Sequence, residues 1–412
     1  MSAARPRVLQ IITGLGTGGA EQQLRLLLRH LPYACDVVTL TEPGPVAAGL
    51  RADGVRVTDL RMRGNRDVAA LPRLVRLIRR GGYDLVHTHL YRACVYGRLA
   101  ARAAGVRAVV ATEHSLGADA IEGRALTRGV RALYLGAERL GGATVAVSET
   151  VAVRLAEWGV PPSRIETVPN GIDAALFRSD PAARAAVRAR LGIAPEAYVI
   201  GGVGRLVPGK RFDSLIRAVA AVPGTVALIA GEGPERARLV RLAAGLGVAD
   251  RVRLPGDCGV FAGEAPGLTV PGVLGALDLF VSPSRDEAFG LAVVEALAAG
   301  LPVVYRACPA VADLPPAEVP GARRVGTDDA GLIAAVRDAK AGPPPGRVPA
   351  PGVGRYDIRR TAERVAALYD RLLGADTGAD AGADAGADSG RSHEHRPRQQ
   401  SHQHDPIGRV QR

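Results

Sequence analysis

The sequence predicts an α/β protein with two parallel β-sheets, each flanked by helices on both faces and each forming its own domain. Short runs rich in Val, Ile and Leu alternate with segments of helical periodicity, which is the order of a parallel sheet with crossover helices. The alternation occurs in two series, and a chain of 412 residues suffices for two domains of about 100 to 200 residues each. Aromatic residues make up only 4% of the chain, so Ala, Val and Leu must fill the cores, as in buried parallel strands.

The first series predicts an N-terminal Rossmann-like domain over residues 1–175. Its strands RVLQIIT, DVVTL, DLVHTHL, VRAVVAT and ATVAVS are separated by helical segments such as GGAEQQLRLLLRHL and YRACVYGRLAARAAG. Residues 176–196 are rich in Ala, Arg and Pro, which predicts a linker with a flanking helix before the second series.

The second series predicts a C-terminal Rossmann-like domain over residues 197–355, with the strands YVIGGVG, TVALIAG, RVRL, LDLFVSPS and LPVVY. Pro and Gly interrupt the pattern at 342–354, and an amphipathic helix over 356–373 follows, which we expect to be able to cross back to the N-terminal domain. From residue 374 a GAD repeat gives way to a His- and Arg-rich end. This segment offers nothing to bury, so 374–412 is predicted to be a disordered tail.

The charge of the chain is strongly positive but carries no nucleic-acid signal. The net charge is +12, and only Lys210 and Lys340 among the 53 cationic residues are lysine, so 51 are Arg. So uniform a preference is more typical of genomic composition than of arginines chosen site by site. No nucleic-acid-binding motif or aromatic stacking platform accompanies the charge, which predicts no nucleic-acid partner. A surface facing anionic lipid or a phosphorylated substrate stays open.

The cysteines and the hydropathy predict a cytoplasmic protein. Cys35, Cys94, Cys258 and Cys308 are too widely spaced for a C-x-x-C site and too few for a disulfide framework. No apolar run reaches the roughly 18 residues of a membrane span, and the first strand follows the N-terminus directly. We therefore expect buried thiols and a location in the cytoplasm, at most at the inner face of the cell membrane.

One basic helix suggests a peripheral membrane contact. The segment VAALPRLVRLIRR, residues 68–80, places four arginines beside an apolar stripe, which fits a helix lying on an anionic membrane. It equally fits an ordinary outer helix of the N-terminal domain, and both interpretations stay open.

The first glycine-rich loop, GLGTGGAE, follows the first strand. In open α/β sheets ligands lie beyond the carboxyl ends of the strands, where helix N-termini offer free amides. Gly16, Gly18 and Gly19 would allow the backbone to approach an anion there, but the spacing misses G-x-G-x-x-G by one residue. The loop is either a contact to phosphate or sugar or a tight packing turn.

The second loop, GGVGRLVPGKRFD, carries Arg205 and Lys210 around a Pro-Gly turn at the carboxyl end of a strand. A planar guanidinium and a compact ammonium there form a natural clamp for a diphosphate. The alternative is a pair of solvated loop cations.

The third loop, SRDEAFGLAVVEALAAG, places Glu287 and Glu295 eight positions apart. We expect a helix to begin near Phe289 or Gly290, which makes the amides of Phe289, Gly290 and Leu291 free donors for a phosphate. The two acids then bracket that phosphate, and each can accept hydrogen bonds from hydroxyl groups, which is the shape of a nucleotide sugar. Two acids on a helix surface would be the alternative, but the neighbours of Glu295 are apolar.

Three histidines lie at the ends of neighbouring strands. His87 and His89 are two residues apart and share a strand face, while His114 follows the next strand. No nearby carboxylate orients the rings for a metal, so we expect no metal site. His87 is predicted to be a buried, hydrogen-bonded histidine, and His89, at the strand end, a substrate contact.

These motifs together resemble the GT-B glycosyltransferases, specifically the retaining family four. The motifs are G-x-G-G-A-E after strand one, H-x-H at strand four, G-R-x4-K, A-G-E-G-P at 230–234, and E-x7-E around F-G. They occur in the family's order, and the resemblance covers residues 7–373. Each motif alone is weak, whereas five in order are specific.

The resemblance implies a donor site in the C-terminal domain. Arg205 and Lys210 would bind the donor diphosphate, and Glu295 would bind the ribose. Glu287, together with the backbone of Phe289 and Gly290, would hold the transferred sugar.

The resemblance also implies how the reaction proceeds. His89 would lie near the anomeric centre, and Gly18 and Gly19 would approach donor or acceptor in the closed cleft. The family needs neither a metal nor a cofactor, because cations and helix dipoles stabilise the departing nucleotide diphosphate, and it retains the anomeric configuration. No strong nucleophile is evident in the sequence, which fits a same-face displacement.

Two segments depart from the family pattern. Residues 256–272 are longer and richer in Gly and Pro than the family's usual link, near the place where the base is contacted. Residues 305–316 replace the family's common Gly-Gly-x-x-Glu loop. Both departures bear on which base and which sugar the site accepts.

The leading hypothesis is a retaining glycosyltransferase in polysaccharide or glycoconjugate biosynthesis. It would move a sugar from a nucleotide-diphosphate sugar to a saccharide or lipid-linked acceptor. The alternatives are a nucleotide-sugar epimerase or phosphorylase of the same fold, or a non-catalytic protein that binds sugar nucleotides. The phosphorylase would need a cofactor lysine, and Lys210 is already used by the diphosphate.

Overall fold

The computed structural model describes residues 6–64, 67–118, 120–122, 124–261, 268–312, 314–343 and 346–383. Two parallel sheets, each between layers of helices, dominate these residues. The predicted α/β class with two Rossmann-like domains is therefore confirmed.

The N-terminal sheet has seven parallel strands in the order β3-β2-β1-β4-β5-β8-β9, and β6 and β7 form a separate antiparallel hairpin. The strands are β1 (Arg7–Ile12), β2 (Ala34–Thr39), β3 (Val57–Asp59), β4 (Leu85–His89), β5 (Ala108–Glu113), β6 (Ala120–Ile121), β7 (Arg124–Ala125), β8 (Ala143–Ala146) and β9 (Ile165–Thr167). The helices are α1 (Gly19–Leu28), α2 (Val46–Ala52), α3 (Ala70–Gly81), α4 (Tyr91–Ala104), α5 (Arg128–Glu138) and α6 (Glu149–Trp158).

The C-terminal sheet has six parallel strands in the order β12-β11-β10-β13-β14-β15. The strands are β10 (Tyr198–Val203), β11 (Thr225–Ala230), β12 (Val252–Arg253), β13 (Leu279–Ser282), β14 (Val303–Tyr305) and β15 (Ala322–Arg324). The helices are α7 (Pro181–Arg190), α8 (Phe212–Ala221), α9 (Arg236–Gly245), α10 (Val270–Ala276), α11 (Leu291–Ala298), α12 (Pro309–Ala312), α13 (Asp329–Ala341) and α14 (Ile358–Ala383).

The flanking helix α7 is tied to the C-terminal domain by its arginines. The Arg184 and Arg188 guanidinium groups pair with the Asp278 carboxylate at 2.6 and 2.7 Å. Arg188 is buried and also donates to the Ala276 carbonyl at 3.0 Å. Two arginines of 176–196 therefore anchor this segment to the C-terminal domain through backbone carbonyls and the Asp278 carboxylate.

The last helix, α14, packs on the N-terminal domain. Its Tyr369 accepts a hydrogen bond from Gln10 of β1 at 3.1 Å, and its Asp370 accepts one from Tyr33. The helix runs to Ala383, beyond the predicted start of the disordered tail at residue 374, because an anchored helix elongates at little cost and the repeat is rich in Ala. Residues 384–412 of the predicted tail lie outside the described residues.

The apolar stripe of the basic helix α3 faces inward. Ala70, Leu74 and Ile78 are buried in the N-terminal core, while Arg73 pairs with Asp67 at 3.1 Å. This arrangement supports an ordinary outer helix, so contact with an anionic membrane would depend on the arginines alone. Within the described residues no helix has both the length and the apolar content needed to cross a bilayer.

All four cysteines are free thiols. Cys94, Cys258 and Cys308 are buried as predicted, whereas Cys35 is only partly buried.

Candidate active site

The carboxyl ends of the two sheets face each other across a closed cleft. The Thr17 hydroxyl of the first glycine-rich loop donates to the Asp257 carboxylate at 3.1 Å. The Ser148 hydroxyl, which caps α6, also donates to the Ala288 carbonyl at 2.6 Å. These contacts bring the predicted loops of both domains together.

The glycine-rich loop places the start of α1 against the start of α11. Gly18 is the N-cap of α1, and a Cβ on Gly19 would lie 3.2 Å from the Leu291 Cδ1 atom. A side chain at Gly18 would overlap the Glu21 carboxylate, which lies over the helix start. Gly18, Gly19 and Leu291 therefore meet in the cleft, and the N-termini of two helices lie close to each other.

The A-G-E-G-P motif supports the loop that carries Arg205. The Leu206 amide donates to the Glu232 carbonyl at 2.8 Å. A Cβ on Gly231 or Gly233 would overlap the backbone of this neighbouring loop. The motif is thus required for the close approach of two backbones, and its Glu232 carboxylate pairs with Arg236 of α9 at 2.7 Å.

The two cations predicted to hold a diphosphate are in different environments. Arg205 is exposed. Burial raises the pKa of Glu21, while a backbone hydrogen bond and the positive charge of Arg205 act in the opposite direction. Lys210 is partly buried, and its Nζ lies 2.6 Å from the Glu287 Oε1 atom. The sequence assigned Lys210 and Glu287 to different parts of the donor, whereas the structure joins them in one ion pair.

The helix predicted to start at Phe289 or Gly290 begins one or two residues later, at Leu291. The reason is that Gly290 adopts a left-handed conformation (φ 98°) as the N-cap, so the helical turn cannot include it. Phe289 is buried edge-on against Tyr356, with ring centroids 5.2 Å apart. The free amide donors are therefore those of the first helical residues, Leu291 and Ala292.

Replacing Gly290 by alanine is expected to lower the free energy of unfolding by about 1–2 kcal/mol or more, the cost of the left-handed conformation for a residue with a Cβ. That Cβ would in addition overlap the Cys308 sulfur. The matched control is Gly275→Ala in α10, where a Cβ meets no atom within 4 Å and the change should be neutral or stabilising. Urea denaturation of both variants checks this, and equal stabilities would contradict it.

Residues 305–316, which replace the family's Gly-Gly-x-x-Glu loop, support the loop that carries Glu287. Arg306 is buried, and its guanidinium donates to the Pro283 carbonyl at 3.3 Å and to the Ser214 hydroxyl at 3.1 Å. It also pairs with Asp329 at 2.8 Å. The departure in residues 305–316 therefore supplies a rigid support for the loop that carries Glu287.

The other departure, residues 256–272, reaches the N-terminal domain. The Phe261 ring lies beneath the guanidinium groups of Arg25 and Arg29, at 4.6 and 4.1 Å from the ring centroid. Residues 262–267 lie outside the described residues. The described part thus helps to close the cleft over α1.

Glu295 lies on the second turn of α11 and lines a narrow cavity between the domains. Gln22 and Gln23 of α1, Asp173 and Phe261 line the same cavity. Burial raises the pKa of Glu295 to about 7. Among the described residues no side chain or backbone group hydrogen-bonds its carboxylate, which is therefore available to a ligand in the cleft.

The histidines form a buried network rather than an open set of side chains. His87 is fully buried, with its ring nitrogens 2.6 Å from the Tyr369 hydroxyl and 2.7 Å from that of Thr112, which confirms its predicted role. His89 is also buried, with its Nε2 atom 2.9 Å from the Gln10 Oε1 atom and its Nδ1 atom 3.1 Å from the His114 Nε2 atom. Both nitrogens of His89 are thus engaged by protein groups, and its contact with substrate stays a prediction.

Sequence reasoning missed the partners of these residues. Nothing in the local pattern marks Tyr369 or Gln10, because each is an ordinary residue of a helix or strand and lies far along the chain from the histidines. The pairing of Lys210 with Glu287 becomes evident only when β10 and β13 are known to be neighbours in the sheet.

Two facing Rossmann-like domains, with helix N-termini, cations and paired acids in the cleft between them, define the GT-B class. Residues 17–176 match Glycosyltransferase Family 4, and residues 183–343 match Glycosyl transferases group 1. The chain belongs to the group 1 glycosyltransferases with the GT-B fold.

Two curated relatives share one name. The D-inositol 3-phosphate glycosyltransferase of Salinispora tropica is 36% identical over 254 residues, which cover 55% of this chain and 50% of that protein. The enzyme of the same name from Mycolicibacterium gilvum is 32% identical over 319 residues, covering 73% of this chain and 68% of the relative. The chain spans about half the length of the first of these relatives.

Solved structures share the fold at low sequence identity. Anabaena Alr3699/HepE in complex with UDP and glucose superposes with a TM-score of 0.77 at 21% identity, over 89% of this chain and 100% of that one. WaaG, a glycosyltransferase involved in lipopolysaccharide biosynthesis, superposes with a TM-score of 0.61 at 18% identity, over 91% and 99% of the two chains.

Proposed function

We propose that the protein moves a sugar from a nucleotide-diphosphate sugar to a hydroxylated acceptor, with retention of the anomeric configuration. The observation that carries this proposal is the convergence in one interdomain cleft of the α11 N-terminus, the Lys210–Glu287 pair and the Glu295 carboxylate. The name and the family of the relatives support the same class of reaction.

The donor would bind along α11. The diphosphate would lie at the first amides of the helix, beside Lys210 and the exposed Arg205, since helix N-termini and cations both favour anions. The ribose hydroxyls would donate to Glu295, about one turn further along the helix. The charge of the departing diphosphate would be balanced by these groups, so we propose no metal and no cofactor.

The Lys210–Glu287 ion pair prepares the site for this donor. Each partner holds the other in place at 2.6 Å. When a donor binds, the ammonium group would turn to the phosphate while the carboxylate accepts hydrogen bonds from the transferred sugar. Neither charge would then be left without a partner in the partly buried cleft, which avoids the cost of an isolated charge.

The acceptor would bind on the N-terminal domain. An open groove at the carboxyl ends of β2 and β3 is lined by Thr41, Glu42, Asp59, Arg61 and Arg63. The Arg61 amide donates to the Asp59 carboxylate at 2.8 Å, and both arginine side chains are exposed. The name of the relatives points to a phosphorylated cyclitol as acceptor. The arginines would bind its phosphate, and the carboxylates would accept hydrogen bonds from its hydroxyl groups.

A donor and acceptor screen tests the proposal. UDP-, GDP- and ADP-sugars are offered with inositol phosphates and neutral saccharides, with UDP-sugars first because the similar Anabaena protein was solved with UDP and UDP-glucose. Transfer with an unchanged anomeric configuration, read by NMR of the product, is the expected result. An epimerised donor would support an epimerase, and donor binding without turnover would support a sugar-nucleotide-binding protein.

A further inference from the structure

A chain of hydrogen bonds runs from the last helix, α14, to the carboxyl edge of the N-terminal sheet. It links buried side chains that are far apart in the sequence. Its members are Tyr369, Gln10, His87, Thr112, His89 and His114. Because each hydrogen bond needs one donor and one acceptor, the chain determines which nitrogen of each imidazole carries the proton.

The amide of Gln10 sets the direction at His89. Its nitrogen donates to the Tyr369 hydroxyl at 3.1 Å and to the Cys35 sulfur at 3.8 Å. Its oxygen therefore faces His89, and the proton of that imidazole lies on Nε2, 2.9 Å away. The His89 Nδ1 atom is then an acceptor, to which the His114 Nε2–H group donates at 3.1 Å.

The Tyr369 hydroxyl sets the direction at His87. Because the Tyr369 hydroxyl accepts a hydrogen bond from Gln10, it donates its own hydrogen bond to the His87 Nδ1 atom, 2.6 Å away. The other nitrogen of that ring then donates to the Thr112 hydroxyl at 2.7 Å. Burial lowers the pKa of His87 to about 3 and that of His114 to about 4, so these rings are neutral and each carries one proton.

We propose that Tyr369 is a positioning residue that fixes the tautomers of His89 and His114, leaving the His114 Nδ1 atom unprotonated at the carboxyl edge of the sheet. That atom has no hydrogen-bond partner within the described part of the chain. If the Gln10 amide were reversed, the same atom would be a buried N–H donor without an acceptor, and such donors are rare in folded proteins.

This assignment changes the expected role of the histidines. His89 pairs in register with Thr112, and His114 lies two residues further toward the edge that faces the cleft. The unprotonated Nδ1 atom of His114 is buried, so a sugar or acceptor hydroxyl would donate a hydrogen bond to it after the side chains that cover it move. His89 would then act through His114. This consequence rests on the proposed function, whereas the tautomers themselves do not.

The tautomers are measured by ¹⁵N NMR of the full chain labelled at histidine. The expected result is that His87, His89 and His114 are all protonated at Nε2. In Tyr369→Phe the Gln10 amide keeps only the Cys35 sulfur, at 3.8 Å, as an acceptor, and His87 loses its donor. We therefore expect protonation of Nδ1 to appear at His89 and His114. A wild-type His114 protonated at Nδ1, or unchanged tautomers in the variant, would overturn the proposal.

The matched control is Tyr33→Phe. The ring of Tyr33 packs edge-on against Tyr369, with centroids 5.3 Å apart, and its hydroxyl donates to Asp370 on the same helix. Tyr33→Phe removes a hydroxyl that contacts α14 but does not belong to the chain of hydrogen bonds, so the tautomers should stay as in the wild type. If Tyr369→Phe folds poorly, Gln10→Met is the second variant. It removes the acceptor of the His89 Nε2–H group while Tyr369 stays in place, so protonation of Nδ1 should appear at His89.

Kinetics separate this proposal from the proposed function. We expect Tyr369→Phe to lower kcat several-fold with little change in the KM for the donor, and Tyr33→Phe to change neither. A wild-type protein that transfers no sugar while its tautomers are as expected would overturn the proposed function alone. A variant whose tautomers are released but whose kcat is unchanged would overturn the role of His114 in the reaction.

Discussion

Replacing Lys210 by alanine is expected to lower kcat/KM for sugar transfer by about 10²–10³-fold, the effect typical of removing one group that stabilises developing charge. Lys210 lies at the end of the turn after β10, with its amine 2.6 Å from Glu287 in the cleft. The charge of the departing diphosphate grows during bond cleavage, so the loss should fall mainly on kcat. Initial rates over a range of donor concentrations measure it.

The control for this variant is the other lysine of the chain. Lys340 is on α13, and its amine donates to the Pro223 carbonyl before β11, at the opposite edge of the sheet from the cleft. Lys340→Ala should keep the wild-type rate. A Lys210→Ala protein with the kcat of the wild type would contradict the assignment of Lys210 to the diphosphate.

Most of the fold could be predicted because its central strands contain apolar runs that are visible in the sequence. β1 is buried from Val8 to Ile12, and the same apolar runs recur in the other central strands. Strands β3, β9 and β15 lie at the sheet edges and are only partly buried or exposed. They therefore lack the apolar run that predicted β14, which is equally short but fully buried. The packing of α14 on the N-terminal domain also depends on tertiary contacts, since an amphipathic helix does not specify which surface it covers.

The candidate site was predictable at the level of loops but not of side-chain pairs. The glycine-rich loop, Arg205, Lys210, Glu287 and Glu295 all lie at the cleft, because ligand sites follow the carboxyl ends of parallel strands. The prediction for His89 missed that Gln10 of β1 and His114, directly after β5, are its hydrogen-bond partners. These partners satisfy hydrogen bonds that a strand-end histidine would otherwise offer to a ligand.

Replacing Glu295 by glutamine is expected to weaken donor binding and to stabilise the protein at alkaline pH. The ribose would lose its charge-assisted hydrogen bonds to the carboxylate, each worth about 1.5–3 kcal/mol. The KM for the donor should therefore rise by about ten- to a hundredfold. The amide keeps the shape of the side chain but not its charge, so the effect isolates the charge.

The effect on stability has a defined dependence on pH. Burial raises the pKa of Glu295 from 4.5 to about 7, so between these values the folded protein holds a proton that the unfolded chain has lost. Stability therefore falls as pH rises from about 4.5 to about 7, and above 7 the folded state carries the full cost of a buried charge. Glutamine has no such proton, so Glu295→Gln should gain stability relative to the wild type across this window.

Urea denaturation at pH 5 and pH 8 separates the two effects. The advantage of Glu295→Gln should be larger at pH 8, whereas Glu196→Gln, an exposed control before β10, should show the same stability as the wild type at both values. An advantage that does not depend on pH would mean that the cost comes from packing rather than from charge. A variant that is more stable but binds the donor less well would indicate that α11 keeps a destabilising carboxylate because the ribose needs it, which is the expected conflict between stability and function at a binding site.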